Sequence, residues 1–86
     1  MKTMLFTFYD RVAMQCGPIN HARNEAEAVR TFIKAFRDKE ERNDFSLLKV
    51  GYYDHDKGTV EALEVPEDIP VAFPKNIEVV KEEKVN

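Results

Sequence analysis

One segment with helical periodicity, residues 24–37, constrains the fold of this 86-residue chain more than any other feature. Asn24 is a favourable N-cap, and Glu27 three residues later completes a capping-box pair. Apolar residues then recur at the i, i+3, i+4, i+7 spacing of a single buried face: Val29, Phe32, Ile33 and Phe36. The sequence therefore predicts one amphipathic helix, and that helix needs another layer against which to bury its apolar side.

Two segments rich in aromatic and apolar residues lie on either side of the helix and are predicted as strands, Met4 to Tyr9 and Phe45 to Tyr53. Side chains alternate between the two faces of a strand. One helix covers one face of a small sheet, so the other face is expected to stay open. Simple alternation assigns the following residues to that open face: Leu5, Thr7, Tyr9, Leu47, Lys49 and Tyr53.

The connections are predicted from their turn residues. Asp54 to Gly58 is expected to form a tight hairpin turn in which Gly58 adopts a positive φ, with a returning strand from Thr59 to Val65. The segment from Asp10 to Arg23 contains Gly17-Pro18 and is expected to be irregular.

The C-terminal part is predicted to be extended and then loose. Pro66, Pro70 and Pro74 space out a strap, and Asn76 to Val80 is a candidate edge strand. The predicted class is α+β, a small antiparallel sheet in the order β-loop-α-β-β with one helix packed on one face. We expect one domain over residues 1–65, followed by the strap and an acidic tail over residues 66–86.

Length and composition exclude several classes of protein. A chain of 86 residues with 43% hydrophobic and 34% charged residues is typical of one globular domain, and so small a domain favours a homodimer. Cys16 is the one cysteine, so no intrachain disulfide can form. The apolar run before Asp10 is too short for a signal peptide or a membrane span, so the protein is expected to stay in the cell that makes it.

No arrangement of residues indicates catalysis. The segment Asp54 to Gly58 lacks the third acidic ligand and the closing Glu of a calcium loop. Cys16 and His21 share a loop, but no third group that would orient a nucleophile and its base is identifiable. Three glycines provide no phosphate-binding loop. The chain is therefore expected not to be an enzyme and to need no metal or cofactor.

The charges suggest a different function. Residues 1–42 carry eight Lys and Arg against six Asp and Glu, whereas residues 43–86 carry five against ten. A basic body with an acidic end is typical of proteins that meet a polyanion. Phosphate contacts are predicted at Arg11, Arg23, Arg30, Lys34, Arg37 and Lys49, and stacking on unpaired bases at Tyr9 and Tyr53. The same residues also fit a solvated helix flank and ordinary packing, so the residues alone leave both readings open.

An ordered set of short motifs carries a family resemblance. Residues 8–13, Gly17-Pro18, residues 28–32 and residues 44–54, closed by Gly58, follow one another with characteristic spacing. The set resembles the small non-structural protein of gokushovirus-type microviruses, tailless phages with circular single-stranded DNA genomes. The resemblance implies a DNA-binding protein of the replication phase, in which the matching positions with a contact role are Arg30 and Tyr9.

We therefore expect a phage protein that binds single-stranded DNA without sequence specificity during genome replication or packaging, in the cytoplasm of the infected bacterium. The alternative is a protein-interaction module that binds a host or phage protein through the open sheet face. The resemblance ends at Val65 and implies nothing about the tail.

Overall fold

One helix packed on a curled antiparallel sheet accounts for residues 1–73, the part of the chain that the computed structural model describes. The sheet order is β2-β1-β4-β5, and β3 also pairs with β1. The predicted α+β class is confirmed. The elements in chain order are β1 (Lys2–Asp10), β2 (Gln15–Cys16), β3 (Asn20–Ala22), α1 (Glu25–Phe36), a 3-10 helix (Glu40–Asp44), β4 (Phe45–Asp54) and β5 (Thr59–Ile69).

The segment between β1 and α1 is more regular than predicted, because it supplies two short strands to the free side of β1. Tyr9 pairs with Cys16 in β2, and Met4 pairs with Ala22 in β3. Between these two strands, the Gly17 amide donates to the Phe8 carbonyl over 2.9 Å. Unpaired backbone groups of a strand need hydrogen-bond partners, and this segment provides them for β1.

Helix α1 begins where predicted and buries the predicted side. The Asn24 side chain accepts from the Glu27 amide over 2.9 Å, which confirms the N-cap. Phe32 and Phe36 are buried, and the Phe8 ring lies edge-on to both at 5.1 and 5.3 Å. Ala28 is also fully buried, whereas Val29 and Ile33 at the margin of this face are half-buried. The core is thus a cluster of aromatic rings between α1 and the sheet.

A β-bulge at Val50 changes which residues of β4 face the helix. On β1, the neighbours Leu5 and Phe6 pair with Gly51 and Lys49, so Val50 has no partner of its own. The extra residue reverses the alternation along β4. The prediction that Leu47 and Lys49 lie on the open face is therefore wrong. Both are buried on the helix side, where Leu47 is 1% exposed.

The hairpin turn between β4 and β5 is confirmed. The Gly58 amide donates to the Asp54 carbonyl over 2.8 Å, and Gly58 has a φ of +70°. One carboxylate oxygen of Asp54 accepts from the amides of Asp56 and Lys57 at 2.9 and 3.2 Å. Asp54 thus shapes the backbone of this turn, whereas the Asp56 carboxylate pairs with the N-terminal ammonium of Met1 at 2.6 Å.

Strand β5 is the outer strand of the described sheet and runs four residues further than predicted, to Ile69. The register with β4 shifts between Ala62 and Glu67, so residues 63–66 bulge out opposite a single residue of β4. Ile69 is 5% exposed in the core, and Phe73 packs against the same cluster. The candidate edge strand at Asn76 to Val80 and the tail lie outside the described residues.

Candidate nucleic-acid interface

Three cations on α1 form a row that we call the helix stripe: Arg30, Lys34 and Arg37. At about 100° a residue, these positions lie on the side of α1 turned away from its buried residues. All three side chains are exposed. The row spans seven residues, about 10 Å along the helix axis. A polyanion could therefore approach the stripe without disturbing the core.

The stripe is largely free of competing carboxylates. Within residues 1–73, Arg30 and Lys34 have no ion pair and no side-chain hydrogen bond. Arg37 lies 3.5 Å from the carboxylate of Asp38, its neighbour in sequence, and both side chains are about half exposed. Ion pairs of this kind are weak in water. The stripe thus presents cations that remain available to a ligand.

Arg23 is engaged at the start of the helix. Its guanidinium lies 2.9 Å from a Glu27 carboxylate oxygen, and its backbone amide donates to the other carboxylate oxygen over 2.8 Å. The hydrogen bonds from the Arg23 backbone and side chain lower the pKa of the Glu27 carboxyl. Arg23 therefore completes the N-terminal cap of α1, and part of its charge is neutralised there.

Lys49 lies inside the protein. Its ammonium donates to Glu25 over 3.0 Å and to the Tyr52 hydroxyl over 3.3 Å, and it lies 3.2 Å from Glu67. Hydrogen bonds to Glu25 and then to Glu67 raise the pKa of Lys49 well above its usual range. The side chain is 11% exposed, so Lys49 does not belong to the exposed surface that a strand of DNA would contact.

The two predicted stacking residues are far from the helix stripe. Tyr9 pairs with Ser46 and Tyr53 with Thr3, on the sheet face opposite the one that Phe8 presents to α1. Thr3, the partner of Tyr53, lies six residues from Tyr9 on β1, so the two tyrosines are about 20 Å apart along the strand direction. Tyr53 also packs edge-on against the His55 ring at 4.7 Å. The structure therefore places the tyrosines and the stripe on opposite sides of the sheet.

A cleft beside the C-terminal end of α1 was not predicted from the sequence. We call it the aromatic cleft; it has a volume of about 350 Å³ and lies between the 3-10 helix, the end of β4 and the strap. Its lining includes three phenylalanine rings, two arginines and three further polar residues: Phe32, Phe45, Phe73, Arg11, Arg42, Asn43, Ser46 and Asp68. The sequence predicted a contact at Arg11 but not at Arg42, which lies in the polar run between the predicted helix and the strand that begins at Phe45.

Two arginines are held at the aromatic cleft by defined contacts. The Arg42 guanidinium lies over the Phe73 ring, 5.1 Å from its centroid, and donates to the Arg37 carbonyl over 2.8 Å. The Arg11 guanidinium donates to the Ser46 hydroxyl. The Arg11 amide also donates to the Asp44 carbonyl over 2.9 Å, which fixes the end of β1 beside the cleft.

Across residues 1–73, no three His, Cys, Asp or Glu side chains come together in a group that could hold a metal ion. Within that same span, no helix has the length and apolar character needed to traverse a bilayer.

Comparison with known families adds a decisive observation. The family model described as Phage ORF5 protein matches residues 3–73, which include α1 and the aromatic cleft. The chain belongs to the Phage ORF5 protein family. This confirms the bacteriophage part of the resemblance. Comparisons of the chain with curated proteins and with solved structures gave no match.

Proposed function

We propose that this member of the Phage ORF5 protein family binds single-stranded DNA without sequence specificity, through the helix stripe, and has no catalytic role. The observation that carries the proposal is the row of outward cations on α1, of which Arg30 and Lys34 are unpaired within residues 1–73. The resemblance to the microvirus non-structural protein supports a single-stranded genome as the ligand. Genome replication or packaging in the cytoplasm of the infected bacterium would then be the setting.

The net charge of −3 opposes DNA binding, but the charges are separated in space. Most carboxylates of β5 lie on the outer strand of the sheet, whereas α1 packs over β1 and β3 on the other side of β4, but Glu67 reaches Lys49 beside the first turn of α1. Exposed charges are largely screened beyond about 10 Å in 0.1 M salt. The local field of the stripe is therefore expected to dominate for a strand that lies along the helix.

Titration of a fluorescent oligothymidylate tests the proposal. With about three phosphate contacts, the log–log slope of affinity against salt is expected to be about −2 for a single strand. Lys34→Glu is expected to weaken binding strongly, whereas Lys57→Glu makes the same charge change at the exposed β4–β5 turn and serves as its control. Absence of binding even in low salt, or equal losses in both variants, would reject the proposal.

A second candidate, protein–protein interaction, has support from a different surface. Three apolar side chains on the segment from β1 to β3 are well exposed, namely Val12 and Met14 at 75% and Ile19 at 63%. We propose that a second copy of the chain covers them in a homodimer. Sedimentation of the wild type against Val12→Ser with Met14→Ser is the test, and a wild type that stays monomeric at high concentration would reject this candidate.

A further inference from the structure

We propose that the aromatic cleft is a subsite that receives one unpaired base together with its phosphate. This inference rests on the proposed binding of single-stranded DNA and specifies where a base is held. It also replaces the tyrosines of the open face as the stacking residues.

The size and lining of the cleft fit one nucleotide. A volume of about 350 Å³ lies at the lower end of the range for small-molecule pockets, about 300–1,000 Å³. Phe45 and Phe73 line it; one face of Phe45 stacks on Phe36 at 4.4 Å, and the Arg42 guanidinium over the Phe73 ring would have to move aside for a base to stack there. Every base has a π-face, so stacking on such rings is tolerant of sequence. The cleft therefore suits a binder that does not distinguish bases.

The charges in the cleft favour an anion next to that ring. Arg11 and Arg42 both line it, and Asn43 adds an amide. A guanidinium matches the geometry of phosphate oxygens with two parallel donors. Asp68 also lines the cleft and opposes an anion. Two guanidinium groups and this carboxylate thus line the cleft, and Arg42 would leave the Phe73 ring and contact the phosphate as a base takes its place.

The cleft continues the helix stripe. A shallower cavity is lined by Arg37, the last residue of the stripe, and by Arg42 and Asn43, which also line the cleft. Lys39 also lines this shallower cavity, as do the carboxylates of Asp38 and Glu40, so cations lead from α1 to the cleft through a region that also holds negative charge. A strand whose phosphates lie along the stripe would reach the cleft with its next nucleotide.

Abasic DNA separates base binding from phosphate binding. We compare a thymidine 12-mer with a 12-mer of abasic deoxyribose phosphate, using the full-length chain at constant salt. Stacking of one base contributes roughly 1–3 kcal/mol, so wild type is expected to prefer the thymidine strand by about 5- to 160-fold. Phe73→Leu retains apolar packing but removes the ring. This variant should bring the ratio of the affinity for the thymidine strand to that for the abasic strand close to one, while leaving the affinity for the abasic strand unchanged.

Two control variants complete the test. Arg30→Glu with Lys34→Glu should weaken the binding of both strands equally and leave the ratio of the two affinities unchanged. Tyr53→Leu changes a ring on the opposite sheet face and should also keep it. Wild type that binds both strands equally would overturn the subsite while leaving the proposed function intact. If Tyr53→Leu abolished the preference for the thymidine strand and Phe73→Leu did not, the subsite would also be overturned. If wild type bound neither strand, both the subsite and the proposed function would be overturned.

Discussion

The ammonium nitrogen of Lys49 lies 3.0 Å from a carboxylate oxygen of Glu25, which joins the middle of β4 to the first turn of α1. The same ammonium lies 3.2 Å from Glu67 on β5. The helix and two strands therefore meet at one buried cation. This arrangement depends on the bulge at Val50, because without it Lys49 would lie on the other face of the sheet.

Removal of the Lys49 ammonium is expected to destabilise the fold. Lys49→Met keeps an unbranched stem but removes the three donors, and we expect a loss of about 1–3 kcal/mol in the free energy of unfolding. Glu25 and Glu67 are more than half exposed and can be rehydrated, which limits the loss. Urea denaturation measures it, with Lys57→Met at the exposed turn as a control expected to change stability by less than about 0.5 kcal/mol. Equal stability of both variants would contradict this role of Lys49.

The stabilisation by Lys49 should depend on pH at alkaline values. The pKa of Lys49 is raised in the folded state, so the stabilisation is fully present below the usual lysine pKa of about 10.4 and is lost as pH rises towards the folded-state value. The difference in unfolding free energy between wild type and Lys49→Met should therefore stay constant up to about pH 10 and narrow as the pH rises above the usual lysine pKa of about 10.4. A difference that does not narrow above about pH 10.4 would show that the ion pairs of Lys49 contribute little to the free energy of unfolding.

A methyl group at Gly51 should disrupt the pairing of β4 with β5. A Cβ there would lie 2.3 Å from the Glu61 carbonyl oxygen, so the backbone of β5 must move. We expect Gly51→Ala to cost about 1–3 kcal/mol, as overpacking does elsewhere. Gly17→Ala is the matched control, because its Cβ would meet nothing nearer than 3.8 Å. Thermal unfolding that ranks the two variants in the opposite order would refute the close approach.

The strap should contribute to the stability of the core. Ile69 is 5% exposed, and Ile69→Ala is expected to cost about 2–4 kcal/mol. Val65→Ala removes a side chain that is 74% exposed on the same strand and should have little effect. If denaturant unfolding showed only a small change in the free energy of unfolding for both variants, the domain would be complete without residues 66–73.

The helix and turn could be predicted because their signals are local. Asn24 and the spacing of Phe32 and Phe36 determine where α1 begins and which side it buries, and Gly58 supplies the positive φ of its turn. The faces of β4 could not be assigned in this way. Its residues are apolar or aromatic at nearly every position from Leu47 to Tyr53, so alternation gives no indication of a bulge.

The candidate site shows the same division. The helix stripe follows from helical spacing alone. The aromatic cleft, in contrast, combines Arg11 from the end of β1, Arg42 from the 3-10 helix and Phe73 from the strap. These positions are more than thirty residues apart in sequence, and only tertiary packing brings them together. Alternation assigns Tyr9 and Tyr53 to the face away from α1, and the structure places both there, so the helix stripe and the tyrosines lie on opposite sides of the sheet.

The bulged outer strand also bears on how copies of this protein can associate. Glu61, Glu64 and Glu67 recur along β5, and Pro66 lies within its bulge. Two such edges placed side by side would bring like charges together, and proline lacks the amide that a ladder requires. Continuous sheet growth from molecule to molecule is thereby disfavoured, so concentrated solutions should resist fibril formation.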